Sequence, residues 1–519
     1  MSSHNGVSKF FLVIAIAATL AIGGCGKDWS LSPEQEFSAL IPKAQSGDAD
    51  AQYSLGLKYL YGQGVQKDST EAIFWFEKAA IQGNAKGQAG LGAMYFDGNG
   101  VTKDATVAVE WFKKAAAQNL AYAQYGLGRA YLWGEGVPKN AAISMEWFDK
   151  AAAQGHIKAQ NYLGLGYANG DGLPQDVAKA AAWLEKAAAQ GDSEAQYNLG
   201  IAYLNGDGVP KDEAKAVELQ QKAAAQNLAL AQYCLGFLYE NGIGLPRDIT
   251  KAMEWYQKAA AQGNPRAQFV LGAAADKDSE NPESLEKAAD WFRKSANQGF
   301  ADAQFNLAVM TANGNGVPKN PAEGFKWFLL AAEQRNVAAQ RIVGKMYSTG
   351  EGGIKDRFKA AEWYQKAANQ WDVEAQYELG NVYARGDGLP KDGAKAAEWY
   401  GKAATQGHPG AQARLGEMYG RGKGTVKDFV LAYAWSNLAA TCGQDVAIKN
   451  LTQYERQLSL AEKSEAERLS SKWEKGQFII REKDLPIESQ RSTAKSDLGL
   501  ARTEQPMLTS SPPGVLLSR

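Results

Sequence analysis

The sequence predicts an all-α fold, a solenoid of eleven 36-residue helix-turn-helix repeats closed at both ends by helical caps. Three observations carry that expectation. The Gln of an Ala-Gln pair falls at Gln52, Gln88, Gln124, Gln160, Gln196, Gln232, Gln268, Gln304, Gln340, Gln376 and Gln412, each step 36 residues without an insertion. A second column, Trp75, Trp111, Trp147, Trp183, Leu219, Trp255, Trp291, Trp327, Trp363, Trp399 and Trp435, puts ten of the 14 tryptophans in one register, which marks them as core. Each copy also shows two helical stripes: Ala51, Leu55 and Tyr59 at i, i+4, i+8, then Ala72, Trp75 and Ala79 at i, i+3, i+7. A unit of this length buries its apolar face only by stacking on the next, so the domain count that 519 residues would otherwise suggest does not apply.

In chain order, the first element is an export signal. Phe10 to Ile22 is a 13-residue apolar run behind Lys9, about 20 Å as a helix, where a bilayer core needs about 30 Å. It is too short to span and fits the apolar part of a cleaved secretory segment over residues 1–24, with Gly23 and Gly24 giving a peptidase room. From the run alone, Cys25 is an incidental residue after a simple signal. The segment Ile22-Gly23-Gly24-Cys25 nevertheless resembles the lipobox of bacterial lipoproteins, which implies lipid attachment at Cys25 and a membrane anchor. Gly26 stands where that family's inner-membrane retention signal has Asp, which implies the outer membrane, facing the periplasm.

Residues 25–50 then hold a short linker and a lone second helix, Pro33 to Ser46, capping the array. In the solenoid, residues 51–443, each second helix opens on a residue with a side-chain acceptor: Asp68, Asp104, Asn140, Asp176, Asp212, Asp248, Ser284, Asn320, Asp356, Asp392 and Asp428. Each ends at Gly83, Asn119, Gly155, Gly191, Asn227, Gly263, Gly299, Arg335, Trp371, Gly407 or Gly443, mostly residues that accept a left-handed cap. One column opposes helix propensity, the glycine at Gly56, Gly92, Gly128, Gly164, Gly200 and their equivalents, at about 1 kcal/mol each relative to Ala. The expected compensation is close helix approach that buries the tryptophans. Repeat seven keeps its length but has Ala275, Asp278 and Glu280 where its neighbours have an aromatic and two turn glycines, which predicts a local weak point.

The stretch Ala195 to Gln226, AQYNLGIAYLNGDGVPKDEAKAVELQQKAAAQ, resembles the Sel-one-like repeat family, relatives of the tetratricopeptide repeat with a longer loop between the helices. The resemblance covers about Ala51 to Gly443 and implies a right-handed solenoid that binds protein or peptide along its groove. Residues 444–475 resemble the terminal helices of bacterial members, with Ser459 and Glu462 spaced as a capping box. Residues 476–519, rich in Pro, Ser and Thr with one aromatic, Phe478, read as a disordered tail.

The register disposes of several chemical readings. The Gly-x-Gly of YLNGDGVPKD, Tyr203 to Asp212, suggests a phosphate cradle or a calcium loop, but its middle residue runs Gln63, Asn99, Glu135, Asp171, Asp207, Ile243, Ser279, Asn315, Glu351, Asp387, Lys423. No ligand role survives that variety, and neither the Walker nor the EF-hand spacing occurs; the stretch is a turn. His156 and His408 share one slot seven repeats apart, and Cys234 and Cys442 lie in distant copies, reading as buried free thiols. No catalytic residue, metal site or cofactor is expected, and 56 Lys and Arg against 57 Asp and Glu do not suggest nucleic acid.

The expectation is therefore a lipid-anchored envelope scaffold that binds proteins. Two readings compete. Secreted relatives with disulfide-stapled repeats are linked to penicillin binding, so a β-lactam-interacting or hydrolytic enzyme is one; its S-x-x-K matches are Ser284 to Lys287 and Ser492 to Lys495, without an accompanying K-T-G. A polysaccharide or peptidoglycan scaffold for exopolysaccharide export is the other. In tetratricopeptide relatives the first helices line the groove, and their variable rows here carry Arg129, Trp133, Lys345, Arg385, Arg414 and Arg421. These are the candidate contacts, a basic set suited to carboxylate or phosphate, against the alternative of a solvated charged face.

Overall fold

The computed structural model describes residues 31–353, 355–481 and 500–502, so the expected signal, Cys25 and most of the tail lie outside the described residues. The chain forms two compact units, one up to Gln175 and one from Asp176 onward. The first holds the cap helix Pro33–Gln45, repeats one to three and the first helix of repeat four; the second holds the rest. The described residues contain 25 helices, most of them 13 residues long. Within each unit successive helices of the repeats pack on one another, and the last helix, Leu460–Ser471, packs on Phe429–Thr441.

Ten of the eleven second helices start on the expected cap, as at Asp68, whose carboxylate accepts from the N–H groups of Thr70 and Glu71. Every residue of the predicted end column has positive φ, including Asn119 (63°), Arg335 (69°) and Trp371 (69°). The helix terminus therefore imposes the left-handed turn even on bulky side chains. In the Gly-x-Gly turn of repeat five, Gly206 and Gly208 have φ of 81° and 72°. A Cβ on Gly208 would lie 1.9 Å from the Val177 carbonyl oxygen, at the start of the preceding second helix. That glycine is both a turn residue and a contact between repeats.

Repeat seven departs from the expectation. Its second helix is Pro282–Asn297, 16 residues, capped by Asn281 and not by Ser284. Without turn glycines at Asp278 and Glu280 the chain adds three helical residues, Pro282 tolerates the first position, and the Ser284 hydroxyl donates instead to Asp278 Oδ2 at 2.9 Å.

The glycine column also needs correction. A Cβ on Gly236 would meet Tyr256 at 2.7 Å, and the same relation joins Gly56 to Phe76, Gly128 to Phe148 and Gly380 to Tyr400. The glycine accommodates the residue after the tryptophan, and those rings form the deepest layer: Phe76, Phe148, Tyr256, Phe292 and Tyr400 are at most 2 % exposed. Most of the tryptophans are core of a shallower kind, although Trp435 is fully buried. Trp111, Trp147, Trp255, Trp291 and Trp327 are half-buried, each packed on the cluster it shares with the preceding repeat. A lysine three residues on covers most of the indoles, as Lys186 over Trp183 at 3.8 Å and Lys258 over Trp255 at 3.9 Å.

The Ala-Gln column has a role the sequence reading did not assign. All eleven glutamines are at most 6 % exposed. Gln268 donates to the Ala260 carbonyl at 3.2 Å, in the last turn of the previous second helix, and accepts from Gln298 Nε2 at 2.8 Å, at the end of its own repeat's second helix. The same pair of bonds recurs at Gln52, Gln88, Gln196, Gln232, Gln304, Gln340 and Gln376. In repeat three Gln124 donates to Asn119 Oδ1 instead.

The C-terminal end is more ordered than expected. After the cap helices Asp445–Glu455 and Leu460–Ser471, the latter with its Ser459/Glu462 capping box, residues 476–481 pack back on the solenoid and are not part of a disordered tail. Gly476 N–H donates to the Thr405 carbonyl at 2.7 Å, the Phe478 ring lies 5.6 Å from Trp435, Ile479 is fully buried, and Arg481 pairs with Asp428 at 2.9 Å and Glu465 at 2.7 Å. The strand Gln477–Ile479 pairs antiparallel with Leu500–Arg502. Cys234 is a buried free thiol as expected, but Cys442 is exposed, because it stands at the helix end where other repeats have the ladder's second glutamine.

Replacing a helical glycine by alanine ordinarily stabilises by about 1 kcal/mol. Gly236→Ala is expected to do the reverse, lowering stability by about 1–3 kcal/mol as the methyl drives Tyr256 off its rotamer. A urea titration checks it, and a raised midpoint would contradict the packing described.

Candidate functional site

Successive first helices approach each other directly, Ala49–Tyr61 on Ala85–Asp97 and Ala85–Asp97 on Ala121–Trp133. Parts of their variable rows reach the surface, where the core columns leave composition free. In the first unit that surface is aromatic. Tyr61 is 42 % and Trp133 47 % exposed, and Trp133 meets Tyr162 edge to face at 6.1 Å. Tyr162 stacks on Phe148 at 5.0 Å, so this outer layer is braced by the deep core.

Arg129 lies among these rings. Its guanidinium carbon is 5.0 Å from the Phe96 ring, 5.1 Å from Trp133 and 5.9 Å from Tyr125. Its Nε is buried without a hydrogen-bond partner, and among the described residues the guanidinium has no ion pair. Asp97, at the end of the neighbouring first helix, shares the hollow lined by Ala93, Phe96, Tyr122, Tyr125 and Arg129. Burial raises its carboxyl above the ordinary carboxylate range, partly offset by the charges of Arg129 and of Lys103, which is itself paired with Glu135. Burial likewise pushes the Tyr122 phenol up to about 12, with the charge of Asp97 adding to it. The sequence rows single out Arg129 and Trp133; Asp97 lies on the same row as Trp133 and was legible there, whereas Tyr122 and Tyr125 stand on neighbouring rows outside that set.

The candidates of the second unit come together differently. Arg414 Nη1 lies 3.1 Å from Glu417 Oε2 and Arg421 Nη1 2.7 Å from Glu417 Oε1, so one carboxylate holds two of the four cations. Lys345 and Arg385 are exposed and, among the described residues, have no ion pair. The set is therefore less basic than the sequence suggests, because Glu417 occupies a row the reading had scanned only for cations.

The two histidines have a structural task. His156 Nδ1 accepts from Ala159 N–H at 3.3 Å and His408 Nδ1 from Ala411 N–H at 3.0 Å, each capping a first helix. Each ring stacks on a tyrosine of the preceding first helix, Tyr125 and Tyr377, at 4.5 Å. Capping through Nδ1 requires the neutral ring. No group of His, Cys, Asp and Glu that could hold a metal is found among the described residues, and no helix there is long and apolar enough to cross a membrane.

The Sel1 repeat family model matches this chain eleven times, over residues 49–84, 85–120, 121–156, 157–192, 193–228, 229–264, 265–300, 301–336, 337–370, 373–408 and 409–444. The chain belongs to the Sel1 repeat family. Sel1 repeat proteins are generally scaffolds for protein-protein interaction, and the fold here is that scaffold. A crystal structure of c5321, a protective antigen present in uropathogenic Escherichia coli strains displaying an SLR fold, is 36% identical, with 90% of this chain and 99% of that one covered at a TM-score of 0.61. A Sel1 repeat protein from Oxalobacter formigenes is 31% identical over 63% of this chain and 98% of its own, with a TM-score of 0.45. No curated protein matches the sequence.

Burial lowers the His156 pKa to about 4, against about 6.5 in an unfolded chain. The sign follows from proton binding: between those values the unfolded state holds more protons, so the stability His156 contributes is complete above pH 6.5 and is lost as pH falls toward 4. His156→Asn keeps a capping acceptor without a titrating ring. The stability difference between wild type and this variant is expected to move by about 2 kcal/mol against wild type from pH 7 to pH 4.5. A difference independent of pH in urea titrations would contradict the neutral cap.

Proposed function

We propose that this Sel1 repeat protein is a scaffold of the bacterial envelope, anchored in the outer membrane by lipid on Cys25 and facing the periplasm, that binds a protein or peptide on the variable rows of its first helices. The observation that carries the binding face is Arg129, a cation held by rings and, among the described residues, without an ion pair, beside an exposed Trp133. An arginine with its stem and rings in place loses little further entropy when it binds, and Trp and Arg dominate the energetics of protein interfaces. Lys345 and Arg385 are the corresponding free cations of the second unit.

The anchor rests on the lipobox-like Ile22-Gly23-Gly24-Cys25. Several acyl chains bring a near-neutral domain to a membrane far more strongly than its surface charge does. The columns offer no catalytic group in a repeated register, and the Gly-x-Gly turn is occupied by backbone contacts between repeats, which favours binding over catalysis. The exposed rings of Tyr61 and Trp133 also suit a sugar face, so peptidoglycan is the second reading.

Crosslinking in cells, affinity capture of the full chain and mass spectrometry test the proposal. Wild type is expected to fractionate with membranes and to capture a defined envelope protein, and Cys25→Ala is expected to appear in the soluble periplasm. An unchanged membrane fraction for Cys25→Ala would remove the anchor; binding to isolated cell wall without any captured protein would favour the second reading.

A further inference from the structure

We infer that the hollow between the first helices of repeats two and three recognises an extended peptide segment carrying an acidic side chain with a basic one two residues along. The inference rests on the scaffold reading and names the partner's chemistry at that face.

Two opposite charges face one hollow without neutralising each other. Arg129 and Asp97 are near enough for each to act on the other electrostatically, yet neither has an ion pair among the described residues. Arg414 and Arg421, on the same rows of the second unit, show the contrasting arrangement in which a carboxylate is already in place. Phe96, Tyr125 and Trp133 hold the Arg129 guanidinium and exclude water from its faces, which leaves its N–H edge for a planar acceptor. A carboxylate matches that fork with two parallel hydrogen bonds.

A carboxylate alone would also be repelled by Asp97. A basic group that reaches Asp97 cancels the repulsion and removes the second unpaired charge. Residues i and i+2 of an extended chain point to the same side, so one strand-like segment supplies both groups. The hollow lined by Ala93, Tyr122, Tyr125 and Gly126 has a volume of about 10 Å³, room for about one water, so the segment's two charged heads lie across its mouth and a sugar ring does not enter it. The exposed Trp133 indole, 47 % accessible, is left to cover an apolar residue further along the segment.

The test is a random dodecapeptide phage library panned on the full chain, followed by fluorescence polarisation with the selected peptides. The expected winners carry Asp or Glu with Lys or Arg two positions on. Their affinity should fall at least tenfold with Arg129→Gln, with Trp133→Ala, and when the peptide's acid is changed to its amide, while Arg129→Lys retains part of it. Trp133 is half-exposed, so Trp133→Ala decides the matter even if the Arg129 variant folds poorly. Winners without the acid-base spacing, or binding unaffected by either variant, would overturn the inference and leave the scaffold reading standing. Soluble muropeptides that bind wild type and are lost with Trp133→Ala would overturn it in favour of a sugar. No selected peptide, together with no protein captured from crosslinked cells, would end both.

Discussion

The buried glutamine of each repeat is the interaction on which the rest of the structure depends. A helix leaves its last carbonyls without partners, and burying such an end costs free energy unless something donates to it. Here the donor is a side chain of the next repeat: Gln196 reaches the Ala188 carbonyl at 3.3 Å and Gln340 the Ala332 carbonyl at 3.0 Å. The same amide accepts from the glutamine that ends its own repeat's second helix, as Gln226 to Gln196 at 2.9 Å. One side chain thus ties three helices at a fixed spacing. Glutamine suits the task because its amide donates and accepts at once; an apolar residue would leave a carbonyl and an amide unpaired in the core.

That fixed spacing explains the absence of insertions over eleven copies. It also explains why glycine is tolerated inside the first helices: once the helices are clipped together, the ring behind each tryptophan needs the space, and Gly56, Gly236 and Gly380 give it. Where the ladder stops, other contacts take over. Cys442 replaces the closing glutamine of the last repeat and stays exposed, while Trp473 and Phe478 pack on the fully buried Trp435 of the same helix and Arg481 pairs with Asp428 at its start. With the packing columns committed, the variable rows of the first helices are where sequence is free to specialise, and Arg129 and Asp97, without an ion pair among the described residues, lie on them.

Much of the fold was legible in the sequence because periodicity repeats its own evidence. The cap columns placed ten second helices correctly, since a capping Asp or Asn and a left-handed terminus are demands of the backbone alone. The misreadings share a cause. Register puts a cap at Ser284, whereas Asp278 and Glu280 deny the turn and move the helix start to Asn281. Register marks the tryptophans as core and assigns the glycines to burying them, whereas the glycine meets the residue after the tryptophan, a relation across two helices that no single-helix pattern contains. At the site, Arg129 and Trp133 were visible as variable residues, but their stacking and the pairing of Arg414 and Arg421 with Glu417 depend on side-chain directions the sequence does not state.

The central claim is that the glutamine pair is a coupled unit and not two independent polar residues. A double-mutant cycle on Gln268→Leu and Gln298→Leu, measured by urea unfolding, tests it most directly. The ladder predicts that each single change destabilises and that the two are coupled by about 1 kcal/mol or more, because the second change removes a group already left without its partner. Additive effects, with no coupling beyond error, would contradict the account.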